Sequence, residues 1–133
     1  MASPSRNYLV KVGSYEIPLN AIKQGSYQSS PDQRQDYDGY RDADGKMHRN
    51  ALDHTASKIE FETVPMSFTD FRNFMDNIVA NYTNVKERKV SLTYYNEESG
   101  TYTTGDFYLP GTITVTWINI VLIDSCRFAF IEY

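Results

Sequence analysis

The sequence of 133 residues contains a single cysteine, Cys126, and no long apolar run. A lone cysteine cannot form an internal disulfide, so the chain needs no oxidising compartment, and Cys126 is expected to be a small buried hydrophobic residue. The amino terminus lacks the apolar segment of a signal peptide, and no stretch approaches the roughly 20 apolar residues that span a bilayer. These absences predict synthesis in the cytoplasm and no membrane partner.

Basic charge is also scarce. The formal net charge is −4, from 13 Lys and Arg residues against 17 Asp and Glu residues. The densest basic cluster, Lys86, Arg88 and Lys89, is interrupted by Glu87. Because nucleic-acid binding depends on a basic surface that releases counterions from phosphates, we expect no nucleic-acid partner.

The sequence has little that resembles a catalytic site. It has no Gly-rich phosphate loop and no nucleophile elbow. Its two histidines, His48 and His54, have no cysteine or glutamate partner at a zinc-like spacing. We therefore expect a protein that is not an enzyme, with no cofactor and no small-molecule substrate.

An acidic cluster at 36–45 could suggest a calcium loop. Aligning Gly45 with the sixth position of an EF-hand places Tyr40 and Ala51 where ligating carboxylates are required. A tight turn or an interface explains the cluster better, since aspartates bond back to their own backbone and glycine accepts positive φ. No metal site is predicted.

Aromatic residues, in contrast, are abundant, at 14% of the chain, and they favour a single mainly β domain over 1–133. Segments 8–12 and 15–17 flank Gly13-Ser14 and predict a hairpin, because Gly13 can take positive φ. Alternation over 57–64 predicts a third strand with Ile59 and Phe61 facing the core.

One helix is predicted over about 67–81. Ser67 is a good N-cap, and the Asp70 charge favours the helix N-terminus. Met66 and Phe71 stand at the two positions of a hydrophobic staple. The spacing predicts one apolar face, which consists of Phe68, Phe71, Met75, Ile78, Val79 and Tyr82.

Period-two alternation returns after the helix and predicts an antiparallel meander with strands at 90–95, 102–109, 112–120 and 127–133. The apolar positions change phase near Asn119, which predicts a β-bulge or a strand buried on both faces. With six or seven strands and one helix, the expected fold is an antiparallel β-sandwich or barrel-like α+β domain. Its body is 6–19 and 55–133.

The polar stretch 20–54 is too long for an ordinary connection and is predicted to be an extended arm or loop that becomes ordered against a partner. It contains tyrosines and arginines, the side chains most enriched at interfaces. The candidate contact residues of this arm are Tyr27, Arg34, Tyr37, Tyr40, Arg41, Asp42, Asp44, His48 and Arg49.

A resemblance to a known family is carried by Ile17-Pro18, by the run YRDADGKMHRN at 40–50, and by 58–61 leading into the Ser67 helix. The chain resembles an uncharacterised family of small proteins encoded among the tail genes of phages and prophages of Gram-positive bacteria. The order of its elements also resembles the phage tail-tube fold, which is shared by tube, tube-initiator and distal-tail proteins. In that wider family, subunits form rings, and a long loop reaches neighbouring subunits or rings.

This resemblance implies a virion structural protein of the tail or baseplate, synthesised in the host bacterial cytoplasm. Its partners would be itself, in a homo-oligomeric ring such as a hexamer, and neighbouring tail proteins. Two alternatives remain at this point: a head-to-tail connector or tail-completion protein, and a soluble module that binds carbohydrate or a host surface through its tyrosine-rich sheet.

Overall fold

The computed structural model describes residues 8–36, 39–48, 51–110 and 112–133. Within these ranges the chain forms twelve strands and one α-helix. The fold is mainly β and antiparallel, of the α+β class, as the sequence predicted. The strands are β1 (Val10–Val12), β2 (Tyr15–Glu16), β3 (Gln28–Asp36), β4 (Tyr40–Arg41), β5 (Met47–His48), β6 (Ala51–Glu62), β7 (Met66–Ser67), β8 (Tyr82–Asn84), β9 (Lys89–Asn96), β10 (Thr101–Tyr108), β11 (Leu122–Ile123) and β12 (Arg127–Glu132), and the helix is α1 (Phe68–Ala80).

Eight of the strands form one antiparallel sheet in the order β2-β1-β9-β10-β12-β6-β3, with β8 also paired to β9. The predicted strands at 90–95, 102–109 and 127–133 correspond to β9, β10 and β12 and are confirmed. Two small two-stranded sheets, β11-β7 and β4-β5, complete the described part of the fold.

The first hairpin forms as predicted, and Gly13 has a φ of +58°. A Cβ atom at this position would lie 2.3 Å from Asn81 Oδ1, so glycine is needed for space as well as for conformation. The same Asn81 oxygen accepts a hydrogen bond from the Ser14 amide at 3.2 Å. The turn is therefore fastened to the end of α1.

The core is built from the inward side chains of the sheet and one face of α1. Ile59 and Phe61 of β6 are fully buried, as predicted. Phe61 stacks on Phe128 with ring centroids 5.8 Å apart, and Phe74 of α1 meets Phe128 edge-on at 5.5 Å. Cys126 is buried as expected, and its burial raises the pKa of the thiol.

Helix α1 confirms the predicted start and end. Ser67 Oγ accepts from the Asp70 amide at 3.2 Å, and Asn81 is the C-cap. The predicted apolar face was wrong in part, because the buried residues of α1 are Phe71, Phe74 and Ile78. Phe68 and Val79 are each 44% exposed, since they project beyond the edge of the face that meets the sheet. Among the described residues, no helix has the length and apolar character that crossing a membrane requires.

The prediction of an extended loop over 20–54 was wrong for much of its length. Strand β3 pairs with β6 from Gln28↔Glu60 to Asp36↔Ala51, so the arm is the outer half of a long β-hairpin that continues the main sheet. The sequence did not indicate this strand, because β3 has the sequence QSSPDQRQD and therefore shows no period-two hydrophobic pattern.

The predicted strand at 112–120 was also wrong. Residues 112–116 have no ladder partner, although Ile113 and Val115 pack against the core. The phase change near Asn119 is a chain reversal instead of a bulge: Ile118 N donates to Leu122 O at 3.0 Å. Strand β11 then pairs with β7.

Candidate interaction surfaces

The long hairpin leaves the body through a buried polar network. Ser57 Oγ accepts from the Asp32 amide at 2.9 Å and lies 2.9 Å from the Tyr94 hydroxyl, while the Ser57 amide donates to Glu132 Oε1 at 2.8 Å. Asn96 Nδ2 donates to Asp32 Oδ2 at 2.9 Å. Ser57 and Asn96 are almost fully buried. Because buried polar groups are costly to leave unpaired, this network fixes the direction in which the hairpin departs.

Asp32 itself has a φ of +47° and lies at an irregularity in β3, where the register shifts between Ser30 and Gln33. Left-handed backbone is unusual for a residue other than glycine, although aspartate tolerates it better than most. The bulge bends the strand and increases its twist. The hairpin beyond it is therefore directed by local backbone geometry as well as by the polar network.

Farther out, β4 and β5 form a small hairpin that we call the tip, residues 40–48. Its turn is organised by the Asp42 carboxylate, whose Oδ1 accepts from the amides of Asp44 and Lys46, each at 3.0 Å. The other oxygen lies 2.8 Å from His48 Nε2. Gly45 has a φ of +81°, and its carbonyl accepts from Arg41 Nη1 at 2.9 Å. The tip is thus internally braced.

The bond from His48 and the backbone amides lower the pKa of the Asp42 carboxyl group, with the His48 bond as the largest cause. The lowered pKa favours the ionised carboxylate, which is the form that accepts these bonds and holds the turn. It is a structural acceptor at the tip, and its bonding explains why the acidic cluster is a turn.

The outward side chains of the tip are large and accessible. Tyr40 is 58% exposed and stacks on the His48 ring with centroids 5.0 Å apart. Met47, Arg41 and Asp44 are also exposed. An exposed aromatic pair with a neighbouring arginine and methionine has the composition of an interface centre.

The structure brings together five of the nine predicted contact residues: Tyr40, Arg41, Asp42, Asp44 and His48 all belong to the tip. The side chains of Arg34, Tyr37 and Arg49 lie outside the described residues. Tyr27 does not belong to the exposed arm, because it stacks on Phe61 with centroids 6.4 Å apart. Burial raises the pKa of the Tyr27 hydroxyl, and the Glu97 charge adds to the shift.

A second exposed surface was missed at the sequence level. We call residues 117–122 the apolar loop. Ile120 is 90% exposed and Trp117 is 51% exposed, and Ile118, Val121 and Leu122 are exposed as well. The signal that could have identified it is the run WINIVLI at 117–123, in which apolar residues stop alternating and cannot all face a core.

No group of three or more potential metal-ligating side chains occurs in the described ranges. Within the same ranges, every buried side-chain nitrogen and oxygen has a hydrogen-bond partner. The polar groups of the network at the hairpin base are therefore mutually satisfied, and their arrangement is that of a structural clamp.

The fold and its two exposed projections define a small antiparallel α+β protein. The chain belongs to the family of unknown function DUF6711, whose family model matches residues 1–133. No curated protein and no solved structure matches the chain.

Proposed function

We propose that this protein is a structural component of a phage tail or baseplate that assembles as a ring through its long hairpin and sheet edges. The observation that carries the proposal is the tip. It places exposed interface-type side chains at the end of a hairpin whose direction is fixed by the Ser57 network. The tail setting comes from the family resemblance of the sequence.

Preorganisation supports an assembly role for the tip. The Asp42 carboxylate bonds to two amides of its own turn and to His48, so little conformational entropy is left to lose when a partner binds. Tyr40 and His48 are already stacked, which presents one flat aromatic surface. Such a surface suits a neighbouring subunit.

The edge strand β3 supports a controlled mode of association. It lies at one end of the main sheet, where its outer hydrogen-bonding groups have no neighbouring strand in the described fold. Pro31 and the adjacent bulge interrupt this edge, and interruptions of this kind prevent indiscriminate strand pairing. Side-chain contacts at the tip would then set the register between subunits.

The two alternatives differ in support. A connector at the other end of the tail would use the same ring contacts, and gene neighbours would separate it from a tube or baseplate protein. A carbohydrate-binding module has less support, because Tyr94, Tyr95 and Phe107 of the tyrosine-rich sheet are buried and cannot stack on a sugar ring.

The test is a paired substitution at the tip, Tyr40→Ala with Arg41→Ala, in the full chain. We expect it to abolish ring formation in negative-stain images while the far-ultraviolet circular dichroism and the thermal midpoint stay close to those of the unmodified chain. The matched control is Val85→Ala with Lys86→Ala, an adjacent apolar and basic pair exposed in the turn after β8. The control should still form rings, and equal ring formation by both variants would refute the tip contact.

A further inference from the structure

The apolar loop is the most hydrophobic exposed region in the described part of the chain. Together with Phe68, which stacks on Trp117 with centroids 5.7 Å apart, it forms a continuous surface. Six large apolar residues contribute to it, each between 39% and 90% exposed, and together they expose on the order of 600 Å². That is at the upper limit for a monomer and close to the roughly 800 Å² per partner of a specific interface.

The loop is held in this exposed position by the backbone. Asn119 Oδ1 accepts from the amides of Val121 and Leu122 at 2.9 and 3.0 Å. The Phe68 amide donates to Val121 O at 2.8 Å, and β11 pairs with β7. These bonds fix the backbone of the loop, so its exposed side chains stand on a fixed projection.

A groove of about 570 Å³ lies directly beside the loop and shares Leu122 with it, and Met66 of β7 forms part of the same wall. Its other apolar walls include Pro18, Ala21 and Pro65, and Asp70 is the charged residue that lines it. A volume of this size accommodates several aliphatic side chains. Asn20, Ser67 and Asn73 also line the groove, so the molecule carries an apolar projection and a partly apolar groove side by side.

We propose that the apolar loop is an interface with a second copy of this chain, in which each copy inserts its loop into the groove of the other. Because projection and groove adjoin on one face, two copies can exchange these contacts through a two-fold axis. The contact would bury a patch of nearly interface size on each copy. It uses a different surface from the tip and does not depend on the ring proposal.

A lipid surface is the less favoured occupant. Loops and helices that enter membrane interfaces are usually accompanied by Lys and Arg side chains, which attract anionic lipids. Here the groove contains Asp70 and the loop is followed by Asp124. The chain as a whole has a net charge of −4. This charge pattern favours protein over membrane.

The test is sedimentation velocity of the full chain across the micromolar range. The unmodified chain should shift from 15.3 kDa to at least twice that mass as concentration rises, and the tip variant, which lacks the ring contact, should stop at twice that mass. Ile120→Asp should weaken association at least about 10-fold, because a buried charge without a partner would replace a buried aliphatic side chain. Val85→Asp is the matched control, since Val85 is 74% exposed in a turn outside the patch, and it should associate as the unmodified chain does.

A second variant examines the groove without altering the loop. Asn20 is exposed at the groove, and Asn20→Arg should obstruct it and weaken dimerisation. Mixing Ile120→Asp with Asn20→Arg should recover part of the association, because one copy then supplies an intact groove and the other an intact loop. Failure of the mixture to associate better than either variant alone would overturn the exchanged geometry.

Two further results would overturn the proposal: equal association by Ile120→Asp and the unmodified chain, or an unmodified chain that stays monomeric. A monomer that pellets with phosphatidylcholine vesicles would assign the loop to a lipid surface instead. The tip variant Tyr40→Ala with Arg41→Ala should still dimerise, so loss of rings and loss of dimers separate the two proposals.

Discussion

The tip and the apolar loop are built by the same device and present opposite chemistry. In each, one side-chain oxygen accepts two backbone amides: Asp42 at the tip and Asn119 in the loop. The tip adds a histidine, an arginine and a tyrosine, whereas the loop adds a tryptophan and aliphatic residues. An Asx turn can therefore preorganise either a polar or an apolar contact.

The difference between these two surfaces implies different responses to conditions. Contacts made by exposed charges at the tip would be screened by added salt. Contacts made by the loop would strengthen in sulfate and weaken on cooling, because they depend on the hydrophobic effect. Ionic strength and temperature can thus show which surface holds a given oligomer.

If the tip and the apolar loop serve contacts and not folding, substitutions in them should lower the free energy of unfolding much less than a substitution in the core. Phe61 is fully buried among Tyr27, Phe128 and Phe130, so Phe61→Ala should lower the free energy of unfolding by about 3–5 kcal/mol in urea denaturation. Phe68→Ala, an exposed aromatic of the patch, should lower it by less than about 1 kcal/mol. Similar costs for the two variants would contradict the division between core and surface.

Trp117, which is half exposed, allows folding and self-association to be compared with one substitution. Trp117→Ala should leave the free energy of unfolding within about 1 kcal/mol of the unmodified chain. The same change should weaken self-association by about 30-fold, as expected for an interface tryptophan worth about 2 kcal/mol. Sedimentation equilibrium and urea denaturation on the same samples provide the two quantities. A large fall in the free energy of unfolding together with unchanged self-association would contradict the placement of Trp117 in the interface.

The shared Asx device can be tested in the loop alone. Asn119→Ala removes the acceptor of the Val121 and Leu122 amides, so their hydrogen exchange should accelerate about 5-fold, which corresponds to about 1 kcal/mol of local stability. Asn119→Asp retains a side-chain oxygen at the same position and should preserve the protection. Unchanged exchange in Asn119→Ala would show that the β11–β7 pairing alone holds the loop.

The smallest expected effect concerns pH at the tip. The pKa of Asp42 is lowered in the fold, so its stabilising contribution is complete above the ordinary carboxyl value near 3.9 and is lost as pH falls through the lower folded value. An NMR titration of the Asp42 carboxyl carbon should show a midpoint below that ordinary value, and His48→Ala should raise it. Tyr40→Phe retains the His48 ring and its bond and should leave the midpoint unchanged. A midpoint that His48→Ala does not move would contradict the role of the histidine.

Local signals in the sequence were enough to predict the helix and several strands. Ser67, Asp70 and the apolar spacing act within one or two turns, so the start and end of α1 followed from the residues themselves. Alternation in residues 57–62 of β6 and in β9, β10 and β12 reflects one buried face, and these parts of the sheet were correctly predicted. The chain reversal at Asn119 was not, because the pattern in 112–116 places apolar side chains on one face without supplying a neighbouring strand.

The candidate surfaces could be predicted from the sequence only in part. The composition of the tip indicated an interface, but the sequence could not place Tyr27 in the core, since that depends on Phe61 from a distant strand. The hairpin was not predicted because the residues of β3 are almost all polar and show no hydrophobic period. The apolar loop was not predicted because its exposure depends on the tertiary pairing of β11 with β7.

Self-assembly is tested most directly by the mass of the full chain in solution, measured by light scattering over a wide concentration range. Self-assembly through preorganised exposed surfaces predicts a mass that rises above 15.3 kDa with concentration and reaches species large enough to image as rings. A mass that stays at 15.3 kDa at every concentration would contradict it.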